Sequence, residues 1–330
     1  MPTLHDMSVE ECPGRLAVRD LDDLIGVVPY LVGFHPADSL VIMVVDDGEV
    51  AVTARVDLGS VHPEQDGLGE LVHRLFDRFP SAEAWFFAYS DDDECWLLLE
   101  ACGELAGARR VGRLIQVGSA RWRADAVDGP TGEVGIGRAA VEATVLGWPA
   151  RRSRQELAAL AAGPPVASEA GLVTALGQAE RRLEGWSNQR RLALMRRLCE
   201  QAEVGECEAI ELAVLAADPQ LRRMVMEGLD RRGAGAAVGL WSTVLRSSPP
   251  LWQPGPLGLL GLSAWLTGDG ALLTICLERL DQIAPLDPLA ALLDWINQTV
   301  LPPSEWDGYR DALAAAFAAQ PALIEGRVSG

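Results

Sequence analysis

Residues 24–58 read LIGVVPYLVGFHPADSLVIMVVDDGEVAVTARVDL, and they carry the clearest structural signals in the chain. Apolar residues at helical spacing precede Gly33, which predicts a helix that ends in a left-handed glycine with Phe34 packed back against it. The loop from His35 to Ser39 leads into an unbroken apolar run from Leu40 to Val45. Such a run is typical of a strand that is covered on both faces.

The next residues predict a second strand, joined to the first by a hairpin turn at Asp46-Asp47-Gly48. From Val50 the apolar residues alternate with a period of two, so we expect one core face and one charged face. Arg55 and Asp57 lie on the charged face. The predicted core face comprises Val50, Val52, Ala54, Val56 and Leu58.

The same stretch resembles a known family. PYLVGFHPADSLV, followed by TARVDL, is similar to the opening signature of an actinobacterial family named domain of unknown function 4192. The resemblance extends more weakly through the strand at residues 85–89 and the C-terminal segment AWLTGDGALL. It implies a cytoplasmic actinobacterial protein, and the family supplies no catalytic residues that could be carried over to this chain.

The length of 330 residues favours two domains, because single hydrophobic cores stop growing at roughly 250–300 residues. Residues 1–150 predict a mixed α/β (α+β) domain with a sheet of about four or five strands and packed helices. Residues 1–19 read as a loose lead-in, and the glycines at 132, 135 and 137 read as a loop. Residues 151–330 predict an all-α domain of helical hairpins, with a linker near residues 163–167.

Composition excludes several classes of function. A formal net charge of −19 disfavours binding to nucleic acid or to an anionic membrane. The N-terminus lacks the features of a signal peptide, and the longest apolar run, Leu257 to Leu266, is too short to span a bilayer. Neither the six cysteines nor the four histidines show metal-ligand spacing, so we expect reduced thiols, no metal and no cofactor in a cytoplasmic protein.

Five polar residues are the candidates for chemistry: His35, Asp38, Ser39, Arg55 and Asp57. A serine near a histidine and an aspartate suggests a hydrolase, but the short loop lacks the strained elbow that exposes a nucleophile. Asp38 could instead accept a hydrogen bond from Arg55 and fix the loop to the sheet. The functional alternative leaves Arg55 free to hold a carboxylate or phosphate, with His35 at the rim.

Trp252 is a separate candidate, because it lies in a proline-rich loop where an aromatic ring could anchor a partner. Packing of the loop over the helices explains it equally well.

These patterns predict a non-catalytic cytoplasmic binding or scaffold protein whose helical domain contacts a protein partner. The alternative is a small-molecule-binding or enzymatic α/β domain that uses the loop 35–39 with Arg55 and Asp57. The oligomeric state is not indicated by any pattern in the sequence.

Overall fold

The computed structural model describes residues 7–9, 16–60, 67–107, 110–148, 150–201 and 203–310. Backbone contacts divide the chain into two compact units. The first contains residues 1–157 together with 298–302, and the second contains residues 158–297 together with 303–330. The sequence placed the boundary at residue 150, and the contacts divide the chain after Leu157.

The first unit is built on one mixed sheet. The strands are β1 (Met7–Val9), β2 (Leu16–Val18), β3 (Ser39–Asp46), β4 (Glu49–Asp57), β5 (Glu83–Tyr89), β6 (Val111–Val117), β7 (Arg121–Ala124) and β8 (Thr131–Glu133). Their order in the sheet is β2-β1-β4-β3-β5-β6-β7-β8. The pairings β5–β6 and β1–β4 are parallel, and the others are antiparallel. The strands β3, β4 and β5 lie where the sequence predicted strands.

Two short strands correct the sequence-based prediction. Leu16–Val18 was expected in a loose lead-in, but it forms β2, with Leu16 and Val18 fully buried. Gly132 was expected in a loop and instead lies in β8, where a Cβ atom would overlap the ring of Trp122. Glycine is therefore required at this position because an aromatic ring lies against the backbone.

The central hairpin forms as expected, with one correction to its faces. Asp47 and Gly48 both have positive φ, as a two-residue primed turn requires. The register shifts by one residue close to the turn, so Val50 opposes Val45 while Val52 opposes Val44. Adjacent residues of a strand point to opposite faces, so Val44 and Val45 lie on different faces of the sheet. Their partners Val52 and Val50 therefore also lie on different faces, whereas simple alternation places them on the same face.

Helices cover both faces of the sheet. They are α1 (Leu21–Val32), α2 (Gly67–Arg78), α3 (Cys95–Ala106) and α4 (Arg138–Val145). The helices α2 and α3 pack on a core that includes Leu40, Ile42 and Phe86. The helix α1 is tied to β7 because Trp122 Nε1 donates to Asp22 Oδ1 at 2.7 Å, and α4 packs on α1.

The second unit is helical, which confirms the predicted fold class of an α+β domain followed by a helical domain. The helices are α5 (Arg154–Ala158, at the division between the units), α6 (Val166–Glu184), α7 (Asn188–Cys199), α8 (Glu206–Ala216), α9 (Pro219–Gly228), α10 (Ala234–Arg246), α11 (Pro254–Leu266), α12 (Gly270–Ile283) and α13 (Pro288–Gln298). Asp218 caps α9 by accepting from the backbone N–H of Gln220, and Asp287 accepts from the backbone N–H of Leu289 at the start of α13. The sequence also predicts a last, alanine-rich helix from Ser304, and most of it lies outside the described residues.

Candidate functional site

The loop after α1 is held at both ends by backbone contacts. Gly33 has φ 84°, which ends the helix and directs Phe34 into the core. The backbone N–H of His35 donates to the carbonyl of Arg151 at 2.8 Å, and Arg151 donates to the carbonyl of Gly33 at 2.9 Å. Asp38 adopts a positive φ of 45°, and its carbonyl accepts from Leu58. The loop backbone is therefore fixed on two sides.

The strand register brings three of the predicted residues together. Ser39 lies directly opposite Asp57 across the hairpin, and Arg55 lies two residues before Asp57 on the same face. The guanidinium of Arg55 donates to Ser39 Oγ through Nε at 3.0 Å and through Nη2 at 2.7 Å, and it also pairs with Asp57. The Cζ atom of the guanidinium lies 5.4 Å from the ring centre of Phe34. We call these four residues the Arg55 cluster.

The partner of Arg55 differs from the one suggested by the sequence. Asp38 was the expected acceptor, but the guanidinium donates to Ser39 and Asp57 instead. Asp38 and His35 are exposed at the surface of the loop. The side chain of Arg55 is only 13% exposed. The cluster therefore joins the loop to β4. The sequence suggested this structural role with Asp38 as the acid, whereas Asp57 is the acid that pairs with Arg55.

Ser39 has no capacity left for nucleophilic chemistry in this arrangement. Its hydroxyl donates to the carbonyl of Ala37 at 2.6 Å and accepts two hydrogen bonds from Arg55. A hydroxyl has one proton and two lone pairs, so all three are in use. The side chain is also fully buried. A base such as His35 would have to displace the bond to Ala37 before it could accept the proton.

Two polar residues of the same unit were missed by the sequence analysis. Tyr89 lies opposite Ser39 on β5 and its buried hydroxyl has no hydrogen-bond partner among the described residues. Burial raises the pKa of this phenol, so it stays neutral. The only signal in the sequence was a tyrosine at the end of an apolar strand, which does not distinguish a core residue from a site residue.

Asp23 was also missed. Its carboxylate accepts from the backbone N–H of Ala139 at 2.9 Å and from the guanidinium of Arg138 at 3.1 Å, and so joins α1 to α4. Burial raises its pKa, but the backbone hydrogen bonds from Ala139 and Arg19 and the charge of Arg138 outweigh this effect. The pKa of Asp23 is therefore lowered, and the group remains ionised.

Trp252 is mostly inside the second unit. Its side chain is 8% exposed, and Nε1 donates to Glu180 at 3.2 Å. This position favours packing of the proline-rich loop over the helices rather than an anchor for a partner. The exposed apolar residue of that loop is Leu251.

The cysteines do not form a metal-binding site in the described part of the chain, and the two in α3 are buried. Burial raises the pKa of Cys95 to about 11 and that of Cys102 to about 12, so both thiols are protonated at neutral pH. No group of three or more histidine, cysteine or acidic side chains among the described residues has the geometry to hold a metal ion. Cys12 lies outside the described residues.

An open groove of about 530 Å³ lies in the second unit, between α6 and the corner where α8 meets α9. One wall is the C-terminal half of α6, with Gly177, Glu180, Arg181 and Glu184 on one face at helical spacing. The opposite wall includes Val214, Ala217 and Asp218, and the floor includes the buried side chains of Leu183, Leu215 and Leu221. We call this feature the α6–α9 groove.

Arg191 closes one end of the groove and stabilises the end of α6. Its guanidinium donates to the carbonyl of Leu183 at 3.0 and 2.9 Å and to the carbonyl of Glu184 at 3.2 Å. The C-terminal end of a helix carries unpaired carbonyls and partial negative charge, so a cation is favoured there. The end of α6 therefore already binds a guanidinium in this fold.

A family model for a domain of unknown function, DUF4192, matches residues 22–304. The chain belongs to this family. The match covers the central hairpin of the DUF4192 protein, the loop of the Arg55 cluster and both walls of the α6–α9 groove. No curated protein and no solved structure gives a significant match.

One stretch of the DUF4192 protein, Arg154–Glu184, is long and apolar enough to cross a membrane by length and composition. Residues 162–165, which include Gly163, Pro164 and Pro165, are not helical and interrupt it. The flanking segments are α5 with a short 3-10 turn on one side and α6 on the other.

Proposed function

We propose that this protein is a non-catalytic, cytoplasmic binding protein whose helical unit binds a segment of a protein partner in the α6–α9 groove. The groove carries the proposal, because it is an open concave surface that helices frame on both sides. The Arg55 cluster supports the non-catalytic part, since the hydroxyl and the guanidinium that suggested chemistry are bonded to each other.

The charges of the groove indicate the chemistry of the partner. Glu180 and Glu184 lie one helical turn apart, where like charges repel. Glu184 is also the last residue of α6, where the helix dipole disfavours an acid. Asp218 adds a third carboxylate from the opposite wall, while Arg181 and Arg191 offset two of the three charges, so the lining keeps one net negative charge. A partner arginine or lysine would relieve this repulsion while its methylene stem contacts Val214.

The proposal is tested by filling the groove without disturbing the helix. Gly177 lies on the groove wall, and a Cβ atom there would have only the end of the Arg181 side chain within 4 Å, at 3.7 Å. Leucine is a better helix former than glycine, so Gly177→Leu should fold and should block the groove. Gly171→Leu makes the same change in the same helix at an exposed position with open space around it, and is the matched control.

The measurement is affinity purification of the full-length tagged chain from its native host cells, with quantitative mass spectrometry. We expect the wild type and Gly171→Leu to retain the same protein partner and Gly177→Leu to lose it. Equal recovery of that partner by Gly177→Leu would rule out the groove as its binding site.

The alternative is a ligand site at the loop 35–39, supported by the exposure of His35 and Asp38 on the loop that also carries Ser39, the partner of Arg55. Such a ligand would have to displace Ser39 or Asp57 from the guanidinium. A thermal-shift screen of anionic metabolites tests this alternative. Stabilisation of the wild type that disappears in Arg55→Met would favour a ligand-binding α/β domain over a structural cluster.

The remaining features of the proposal follow from charge and thiol chemistry. The net charge of −19 disfavours nucleic acid and anionic membranes as partners. Five free cysteines among the described residues are consistent with a reducing compartment. Fractionation of host cells tests the location, and recovery of the chain in the membrane fraction would contradict it.

A further inference from the structure

The charge of α7 differs from that of every other described α-helix. Its 12 residues include four arginines and no acid, whereas none of the other described α-helices has more than one net positive charge. The whole chain has a formal net charge of −19. A large net charge keeps a protein soluble, and four arginines reduce the size of this one. Solubility therefore does not account for the arginines of α7.

The helix itself accounts for three of the four arginines. Arg191 donates to the carbonyls at the end of α6. Arg196 and Arg197 lie in the last turn of α7, where the helix dipole favours a cation. Arg190 lies in the first turn, two residues after the helix begins at Asn188, and there the dipole disfavours a cation. The charge of Arg190 therefore does not stabilise its own helix.

Stacking on Trp186 holds the Arg190 side chain in place. The Cζ atom of Arg190 lies over the ring of Trp186, at 3.6 Å from its centre. A guanidinium is planar and its N–H groups point outward in that plane, so a stacked guanidinium can still donate two parallel hydrogen bonds to a carboxylate. The ring already restricts the side chain, so less conformational entropy is lost when an anion binds.

Arg190, Arg196 and Arg197 project from the exposed side of α7. Arg190 and Arg197 are two helical turns apart on one face, which separates them by about 10 Å along the helix axis. Ala193 lies between them, is also exposed and has a side chain too small to screen either guanidinium. Among the residues that the structure describes, none of the three arginines forms an ion pair with an acid. We call the surface formed by Arg190, Ala193, Arg196 and Arg197 the α7 face.

We infer that the α7 face binds an acidic segment of a protein partner, whose carboxylates pair with Arg190 and Arg197. Charges are screened beyond about 8 Å at physiological salt, so a short acidic segment on this face senses the local arginines more than the net charge of −19. A nucleic acid or an anionic membrane extends over a larger area and meets the acidic parts of the chain, which repel it. The α6–α9 groove has the opposite charge, so the two surfaces bind different groups.

The test is binding of a fluorescein-labelled peptide that alternates glutamate with alanine, measured by fluorescence anisotropy with the full chain at low salt. We expect the wild type to bind this peptide, to bind it more weakly as salt is added, and not to bind the same peptide with glutamine in place of glutamate. Arg190→Gln combined with Arg197→Gln should raise the dissociation constant about tenfold or more, because two charged hydrogen-bond donors are lost. Gly177→Leu should leave it unchanged, so the result does not depend on the groove.

Arg152 and Arg232 provide the matched control, because both are exposed and lie outside α7. Arg152→Gln combined with Arg232→Gln makes the same change in net charge and should leave the dissociation constant unchanged. All four positions are exposed, so both double variants should keep the circular dichroism spectrum of the wild type. Equal dissociation constants for the two double variants would overturn the inference, as would a wild type that does not bind the glutamate peptide at low salt. Tighter binding of a single-stranded oligothymidylate of the same charge would also overturn it, because the partner would then be a nucleic acid.

Discussion

Replacement of Arg55 by methionine should weaken the central hairpin. The variant loses two hydrogen bonds from a charged group to Ser39, the contact with the Phe34 ring and the pair with Asp57. Asp57 is more than half exposed, so its pair contributes little. Methionine keeps part of the side-chain packing. We therefore expect a loss of about 2–4 kcal/mol in the free energy of unfolding of the first unit.

Hydrogen exchange is the appropriate assay, because the chain has two compact units and a single melting midpoint does not identify the weakened one. We expect faster exchange of the amides of β3 and β4 and unchanged exchange in α11 and α12. Arg113→Met is the control. Arg113 also pairs with an aspartate from its position in the sheet, but both partners are partly exposed, so the loss should stay below about 1 kcal/mol.

The reasoning would be refuted if Arg55→Met exchanged no faster than Arg113→Met. That result would mean that the guanidinium contributes little to the stability of the hairpin.

Three further changes test other parts of the structure. Arg222→Leu removes the partner of Asp287, which is nearly buried, so we expect the free energy of unfolding of the second unit to fall by about 3–5 kcal/mol. Hydrogen exchange of the amides of α9 and α13 measures this loss, and a loss below about 1 kcal/mol would contradict the role of this ion pair. The pKa of Asp23 is lowered in the folded chain, so its contribution to stability is present above the unfolded pKa near 3.8 and is lost as the pH falls through the lower folded pKa. In Asp23→Asn, the stability of the first unit should therefore lose the part of its pH dependence that Asp23 contributes. An acid-unfolding profile equal to that of the wild type would contradict this contribution. Gly258→Ala places a Cβ atom 2.6 Å from Leu289 Cβ and should reduce the free energy of unfolding by about 1–3 kcal/mol. Gly239→Ala in α10 meets open space and should increase it by about 0.5–1 kcal/mol. Thermal melts in which both melting temperatures move in the same direction would contradict this packing.

The central hairpin was predictable because its signals are local. A glycine with positive φ ends α1, a two-residue turn separates β3 from β4, and unbroken apolar runs mark the buried strands. The same local rules failed where the register matters. The shift beside Val45 moves Val50 off the expected face, and a pattern with a period of two contains no sign of it.

The contacts of the candidate residues depend on distant parts of the chain. Arg55 and Asp57 were placed on one face correctly, but the choice of Ser39 over Asp38 as a partner follows from the pairing of β3 with β4 and from the turned backbone of Asp38. The indole N–H of Trp252 donates to Glu180, which lies 72 residues earlier in the chain. Neither contact can be inferred from the residues that neighbour Arg55 or Trp252 in the sequence.

The groove was not visible in the sequence for a related reason. Helical spacing identifies α4 and α6 but does not decide which side of each helix faces a neighbour. In α4 the small residues pack inward, which is opposite to the usual preference for large apolar residues in the interior. Only the packing of the unit reveals this reversal.

The most direct test of the account is a hydrogen-exchange footprint of the full chain with and without the partner that it retains. We predict protection of residues 177–184 on α6 and residues 214–221 at the α8–α9 corner, with no change at residues 35–39 or 53–57. Protection at the loop 35–39 without protection in the groove would contradict the account, because it would place the binding surface at the Arg55 cluster.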